Sequence, residues 1–289
     1  MGLKTMRWSV GVLACAALVL LCLAGSSMAA QEPDSTPAPA AAQSNAQSAT
    51  PLSVLTSAVA ALTSGAGSHD ARLQGTAHSI GSSSEEVDSS PASILCSVNG
   101  YAQLRMQMQR ENTPRSEMSQ RNNGVRSGHW TGRDGNDHAM AYHNLMAGEH
   151  WFCPVTLLSR LLTETNVSVQ FAGMEPVNGQ SLEHFLVTRP APGDPASSTT
   201  RLLTHLTEMN IYLDPQTLRP AMLRFNTHPD NTANIDIPVE IRYENYIQGS
   251  GIWHPSRIEK YVNNGLSLVL DIGSAEFNQG SNDPLLQSN

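Results

Sequence analysis

Side chains that alternate apolar and polar with a period of two recur along residues 71–277, and this pattern restricts the chain to antiparallel sheet. In 237–243, Ile237, Val239, Ile241 and Tyr243 share one face, with Glu240, Arg242 and Glu244 on the other. Residues 101–111 repeat it: Leu104, Met106 and Met108 point one way, and Arg105, Gln107 and Gln109 the other. A sheet patterned like this has one dry and one wet face. Further strands are predicted at 71–81, 116–122, 167–171, 181–188, 202–213, 218–225, 256–262 and 266–277, with a polar, acidic loop at 82–91. Turn chemistry separates them. Asn263-Asn264-Gly265 reads as a tight hairpin, Asp134-Gly135 as another turn, and Asp214-Pro215-Gln216-Thr217 uses Pro to set the chain direction. Strands joined by short turns, without alternating helices, exclude a parallel α/β fold.

Helices are few. Leu52, Leu55, Val59 and Leu62 make one apolar stripe after Pro51, and Gly65 and Gly67 end it. Residues 156–162 read as helical after Pro154, and 139–147 as a second helix in the same region. The predicted class is α+β, mainly β: a curved antiparallel sheet with two or three helices packed on its apolar, concave face.

Residues 1–30 read as a cleavable signal peptide. Lys4 and Arg7 precede an apolar run from Trp8 to Ala24, and Ser27 and Ala29 suit the peptidase subsites, so cleavage falls after Ala29 or Ala30. The run is barely long enough to span a bilayer, which leaves an uncleaved anchor as the alternative. Val12-Leu13-Ala14-Cys15 has the look of a lipobox, but the apolar run continues to Leu23, which disfavours a lipid anchor at Cys15. The protein is therefore placed in the periplasm or outside the cell. Residues 31–50, rich in Ala, Pro, Ser and Gln, form a disordered linker. A single domain at 51–280 and a tail at 281–289 complete the chain.

Of 17 Lys and Arg, Lys4 and Arg7 leave with the signal, so 15 face 25 acidic residues and the mature net charge is −10. This balance argues against a nucleic-acid partner. Cys96 and Cys153 survive export. Two cysteines in an oxidising compartment suit one disulfide, with two buried thiols as the alternative; pairing needs α-carbons within about 7 Å.

The densest group of chemically able side chains spans 128–154 and includes His129, Trp130, Asp134, Asp137, His138, His143, Asn144, Glu149, His150, Trp151 and Cys153. His138 and His143 are five residues apart, wrong for one helix face and wrong for one strand face, and no HExxH is present. No GxSxG elbow and no phosphate-cradling glycine loop occurs either. No catalytic residue, metal ligand or cofactor is assigned. A hydrolase using His138, His143 or Asp134 is the weakest of three readings. The plain one is an irregular loop anchored into the core by Trp130, Trp151 and Phe152, with Trp130, His138, His143 and Trp151 available as an interaction surface. His228-Pro229-Asp230 reads as a turn.

Leu104, Met106, Met108, Leu203, Met209, Met222, Leu223 and Phe225 supply bulky or adaptable apolar surface on several strands. They are the candidate lining of a hydrophobic-ligand cavity between sheet and helices, with an ordinary solid core as the alternative.

The run Ile211-Tyr212-Leu213-Asp214-Pro215-Gln216-Thr217-Leu218-Arg219-Pro220-Ala221 resembles the strand, D-x-x-T-x-x-P turn and strand of the LolA/LolB-like superfamily of outer-membrane lipoprotein-sorting proteins. The segments 128–135, His143-Asn144 with Trp151-Phe152, and 228–243 are similar to a group of exported proteins of acidobacterial type. The resemblance implies a half-open β-barrel closed by helices, in a family whose best-known members carry lipoprotein acyl chains across the periplasm. This chain departs from the carrier in its length, its helical insertion and its two cysteines, and the carrier's arginine latch falls on no one position here. One-faced apolar alternation over several strands, with no reactive constellation, gives the first reading: a monomeric, non-enzymatic protein that binds an acyl chain, lipid or other hydrophobic ligand in the sheet's concavity. The alternative is an interaction module for other envelope proteins.

Overall fold

A computed structural model describes residues 49–108, 113–132 and 134–279. The predicted signal peptide with Cys15, nearly all of the linker, Gln109 and the tail lie outside them. In chain order the elements are α1 (Pro51–Thr63), β1 (Asp70–Ile80), β2 (Glu86–Ser97), β3 (Ala102–Met108), β4 (Thr113–Asn122), β5 (Val125–Thr131), β6 (Asp137–Ala139), α2 (Tyr142–Ala147), α3 (Pro154–Thr163), β7 (Ser168–Val177), β8 (Gln180–Thr188), α4 (Ser198–His205), β9 (Met209–Leu213), β10 (Pro220–Thr227), β11 (Ile237–Gly249), β12 (Ile252–Val262) and β13 (Gly265–Phe277).

The strands form one antiparallel sheet in the order β6-β5-β4-β3-β2-β1-β13-β12-β11-β10-β9-β8-β7. Every neighbour is also a neighbour in sequence except β1 and β13, which join the two arms. Local turn chemistry does most of this work. Asn263 and Asn264 both adopt positive φ between Val262 and Gly265, the conformation a two-residue hairpin needs. Asn123-Gly124, Asn178-Gly179 and Ser250-Gly251 do the same between β4 and β5, β7 and β8, and β11 and β12. Asp214 Oδ1 accepts hydrogen bonds from the Gln216 and Thr217 amides and the Thr217 hydroxyl, fixing the β9–β10 turn. Where the arms meet, a Cβ on Gly75 would lie 2.0 Å from the Asp271 carbonyl oxygen, so only glycine fits this bulge.

The sheet is curved, and one contact shows how strongly. β4 and β12 are five strand spacings apart, about 24 Å on a flat sheet. Yet Lys260 Nζ on β12 lies 3.4 Å from Glu117 Oε2 on β4. The concave face is filled by α1 and α3 and by Trp151, Phe152, Leu104, Leu223, Phe225, Ile241 and Tyr243, which belong to one buried cluster. Thr50 caps α1 through its side chain and Pro51 opens it. Leu55 and Leu62 are buried, whereas Leu52 faces solvent. The helical insertion α2–α3 lies in sequence between the two sheet edges, β6 and β7.

Three sequence expectations need correction. The predicted loop at 82–91 ends early, because β2 starts at Glu86 and turns Asp88 and Ser90 inward. The predicted strand at 202–213 is a helix followed by a strand: Ser197 caps α4, and β9 starts at Met209. The irregular loop expected from residue 128 begins as strands β5 and β6.

Candidate functional site

Trp151 is the centre of the concave face. It is 1% exposed, its indole Nε1 donates to Glu117 Oε1 at 2.7 Å, and Lys260 Nζ sits 4.3 Å from its ring centre. The Tyr243 hydroxyl donates to the Trp151 carbonyl at 2.6 Å. Gly148 allows Phe225 to lie against the chain here, since a Cβ would come within 2.7 Å of that ring. The remaining cleft at this point, between Trp130, Leu145, Phe152, Phe225 and Lys260, is ≈ 220 Å³. The Cys96–Cys153 disulfide, with α-carbons 6.8 Å apart, ties β2 to the start of α3 beside it.

Among the residues singled out as ligand lining, Leu104, Met108, Met209 and Leu223 are buried in the core, and Met106 packs against it. Phe225 reaches the cleft. Met222 belongs to a small cluster on the other face with Val177, Leu182 and Tyr212. Leu203 stands on α4, half exposed. The residues singled out as an interaction loop divide as well. Trp130 stacks on His138 at 4.5 Å at the β6 edge, where His138 also pairs with Asp134. Trp151 is core, and His143 lies on α2 against His228.

A larger cavity of ≈ 660 Å³ opens where the concave face meets the sheet's free edges. Tyr142, Met146, Leu203, Leu206, Pro190 and Pro192 give it apolar walls, and Arg126, Arg189 and Glu164 lie at its base. Those three belong to a buried ionic cluster. Arg126 of β5, Arg160 of α3 and Arg189 after β8 surround Glu164, while Arg126 and Arg160 also face Glu149. All five side chains are nearly buried. Three guanidiniums against two carboxylates leave a net charge of +1. Burial pushes the Glu164 carboxyl up, but Arg189, Arg126 and Arg160 outweigh it and hold it below its ordinary range. One Arg126 nitrogen has the Met146 thioether at 3.0 Å as its partner, a weak acceptor for a buried guanidinium. Beneath the cluster, burial with Arg160 and Arg126 nearby pushes the His150 imidazole well below its ordinary range.

A third grouping joins α4 to the β10–β11 connection. His205 ends α4, His228 follows β10, and Asp236 precedes β11. Asp236 Oδ1 lies 3.1 Å from Nε2 of both histidines. Asp236 raises the His205 imidazole above its ordinary range; partial burial opposes this and Glu208 adds to it. Burial lowers His228 despite Asp236. Among the described residues, this is the group whose donors stand at metal-binding separations. No local motif announces it, because the three residues come from separate segments.

No protein-family profile matches the sequence, and no curated protein matches it. Solved structures do. One, described as an outer membrane lipoprotein-sorting protein domain from Vibrio parahaemolyticus, matches with a TM-score of 0.51 and 14% identity, over 82% of this chain and 95% of that one. A DUF1329 family protein from Desulfovibrio piger matches at 0.50 and 12%, over the same shares of the two chains. A LolA superfamily protein from Nitrosomonas europaea matches at 0.47 and 13%, over 78% and 93%. The first two matches share with this chain its curved, half-open antiparallel sheet with helices on one face, the architecture that the resemblance around Asp214 implies. Among the described residues, no helix is long and apolar enough to cross a membrane.

Proposed function

We propose that the protein is exported and binds, without chemistry, an acyl chain, lipid or other hydrophobic ligand, and that it does so in the cavity at the edge of the concave face. One observation carries this reading. The ≈ 660 Å³ cavity falls inside the range of about 300–1,000 Å³ that ligand sites occupy, whereas the cleft at Trp151 is smaller than that range. Its apolar walls suit hydrocarbon. The net positive charge of the Arg126, Arg160 and Arg189 cluster at its base suits an anionic head group. The half-barrel fold agrees with this, and the predicted signal peptide supplies the route out of the cytoplasm. Protein purified from its native envelope without detergent, then measured by native mass spectrometry, carries a lipid adduct on this reading. Ligand-free protein under those conditions contradicts it.

A second reading, an interaction module for envelope proteins, draws on the solid packing under the helices and on the edge strand β7. β7 has ten residues, with Phe171 and Met174 half exposed on it. Unpaired apolar edges are templates for strand addition. Charged substitution at both positions then abolishes partner binding and leaves lipid content unchanged.

A further inference from the structure

We infer that His205, His228 and Asp236 form a binding site for a transition-metal ion of the zinc type, clasping the end of α4 to the β10–β11 connection. One donor atom from each lies within 4.8 Å of the other two. Tetrahedral zinc with bonds of about 2.0–2.1 Å places its ligands about 3.3 Å from one another. The two imidazole–carboxylate separations, 3.1 Å each, already match that edge. His205 and Asp236 are on the surface, with side chains 35% and 45% exposed, so the remaining adjustment falls on groups free to move. Two imidazole nitrogens and one carboxylate oxygen suit zinc or a neighbouring first-row ion, and not the all-oxygen shells of calcium or magnesium. Three protein ligands leave a coordination position open toward solvent.

The surroundings are those of a built site. Glu208 Oε2 lies 3.0 Å from His205 Nδ1, which orients the ring and presents Nε2 as the ligand. Asn144 holds His228 in place: its amide oxygen accepts from the His228 N–H and its amide nitrogen donates to the His228 carbonyl, both at 2.8 Å. His143 packs edge-on to the His228 ring at 5.6 Å. His143 Nε2 and His228 Nδ1 are both buried without a hydrogen-bond partner. Other histidine–carboxylate pairs, at His78, His129 and His138, bring a single imidazole to their carboxylates. At Asp236 two imidazoles from separate elements converge on one oxygen. The site borders the ligand cavity, since His143 lines that cavity and α4 supplies Leu203 to its wall.

The test is competition of zinc between a chromophoric chelator and the metal-stripped mature chain, with melting temperature as a second readout. The expected result is one ion per chain and a rise in melting temperature on adding zinc. His205→Gln and Asp236→Asn, both at surface positions, each weaken binding at least about tenfold and abolish the thermal rise, and Glu208→Gln weakens it about tenfold. His138→Gln leaves both readouts unchanged. Absence of stoichiometric binding, or binding and thermal response that His205→Gln and Asp236→Asn do not alter, overturns the inference.

Discussion

Reduction of the Cys96–Cys153 bond lowers the melting temperature by freeing one arm of the sheet in the unfolded chain. The bond spans 57 residues, and the loop it closes contains all of β3, β4, β5, β6 and α2. On the chain-entropy model, closing a loop of that length removes about 14 cal/mol/K from the unfolded ensemble, or about 4 kcal/mol at 25 °C. A domain of this size shifts its melting temperature by about 2–4 °C per kcal/mol, so the oxidised protein melts about 8–16 °C above the reduced one. Both cysteines are buried, so the reduced thiols remain packed and the effect arises mainly in the unfolded state. Circular-dichroism melts of the oxidised protein, the phosphine-reduced protein and the Cys96→Ala/Cys153→Ala double variant measure it. Reduced and oxidised melts that agree within about 2 °C refute the loop-closure reasoning.

Glu164→Gln leaves Arg126 and Arg160 with Glu149 as their carboxylate and takes the carboxylate from the buried Arg189, and costs about 3–5 kcal/mol in urea unfolding; a loss under about 1 kcal/mol contradicts the cluster's role. The buried His150 has a folded pKa below its unfolded value near 6.5, so its contribution is complete above that pH and is lost as pH falls. The unfolding midpoint therefore declines below about pH 6.5, and His150→Asn, which tolerates the positive φ of 62° at this position, flattens the decline. Gly75→Ala forces a Cβ into the Asp271 carbonyl and costs at least about 2 kcal/mol, read as a lower melting temperature or loss of soluble protein.

Strands whose inward residues are large and apolar were legible in the sequence, as 237–243 shows. β2 was hidden because its first half turns Asp88, Ser90 and Ala92 into the core. These small groups make room for Met108, whose sulfur lies 3.3 Å from the Ser90 hydroxyl, so the period of two exists in shape but not in hydropathy. At 202–205, inside the strand predicted at 202–213, the side-chain cap at Ser197 starts a helix instead. The edge cavity draws its wall from β5, α2, α3, α4 and the loop after β8, and the Asp236 grouping from three segments. Neither has a spacing to read, because both exist only after the sheet curls and the insertion folds onto it.

On the proposed function an acyl ligand occupies the edge cavity. Titration of delipidated mature protein with a fluorescent fatty acid, beside the Leu203→Glu variant, decides whether it does. Leu203 is 46% exposed, so the substitution leaves the core intact while placing a carboxylate in the cavity wall. The wild-type chain binds one fatty acid, and the variant complex is at least tenfold weaker, the loss expected from burying an unpaired charge worth about 1.4 kcal/mol or more. No binding by the wild type, or equal binding by the variant, contradicts it.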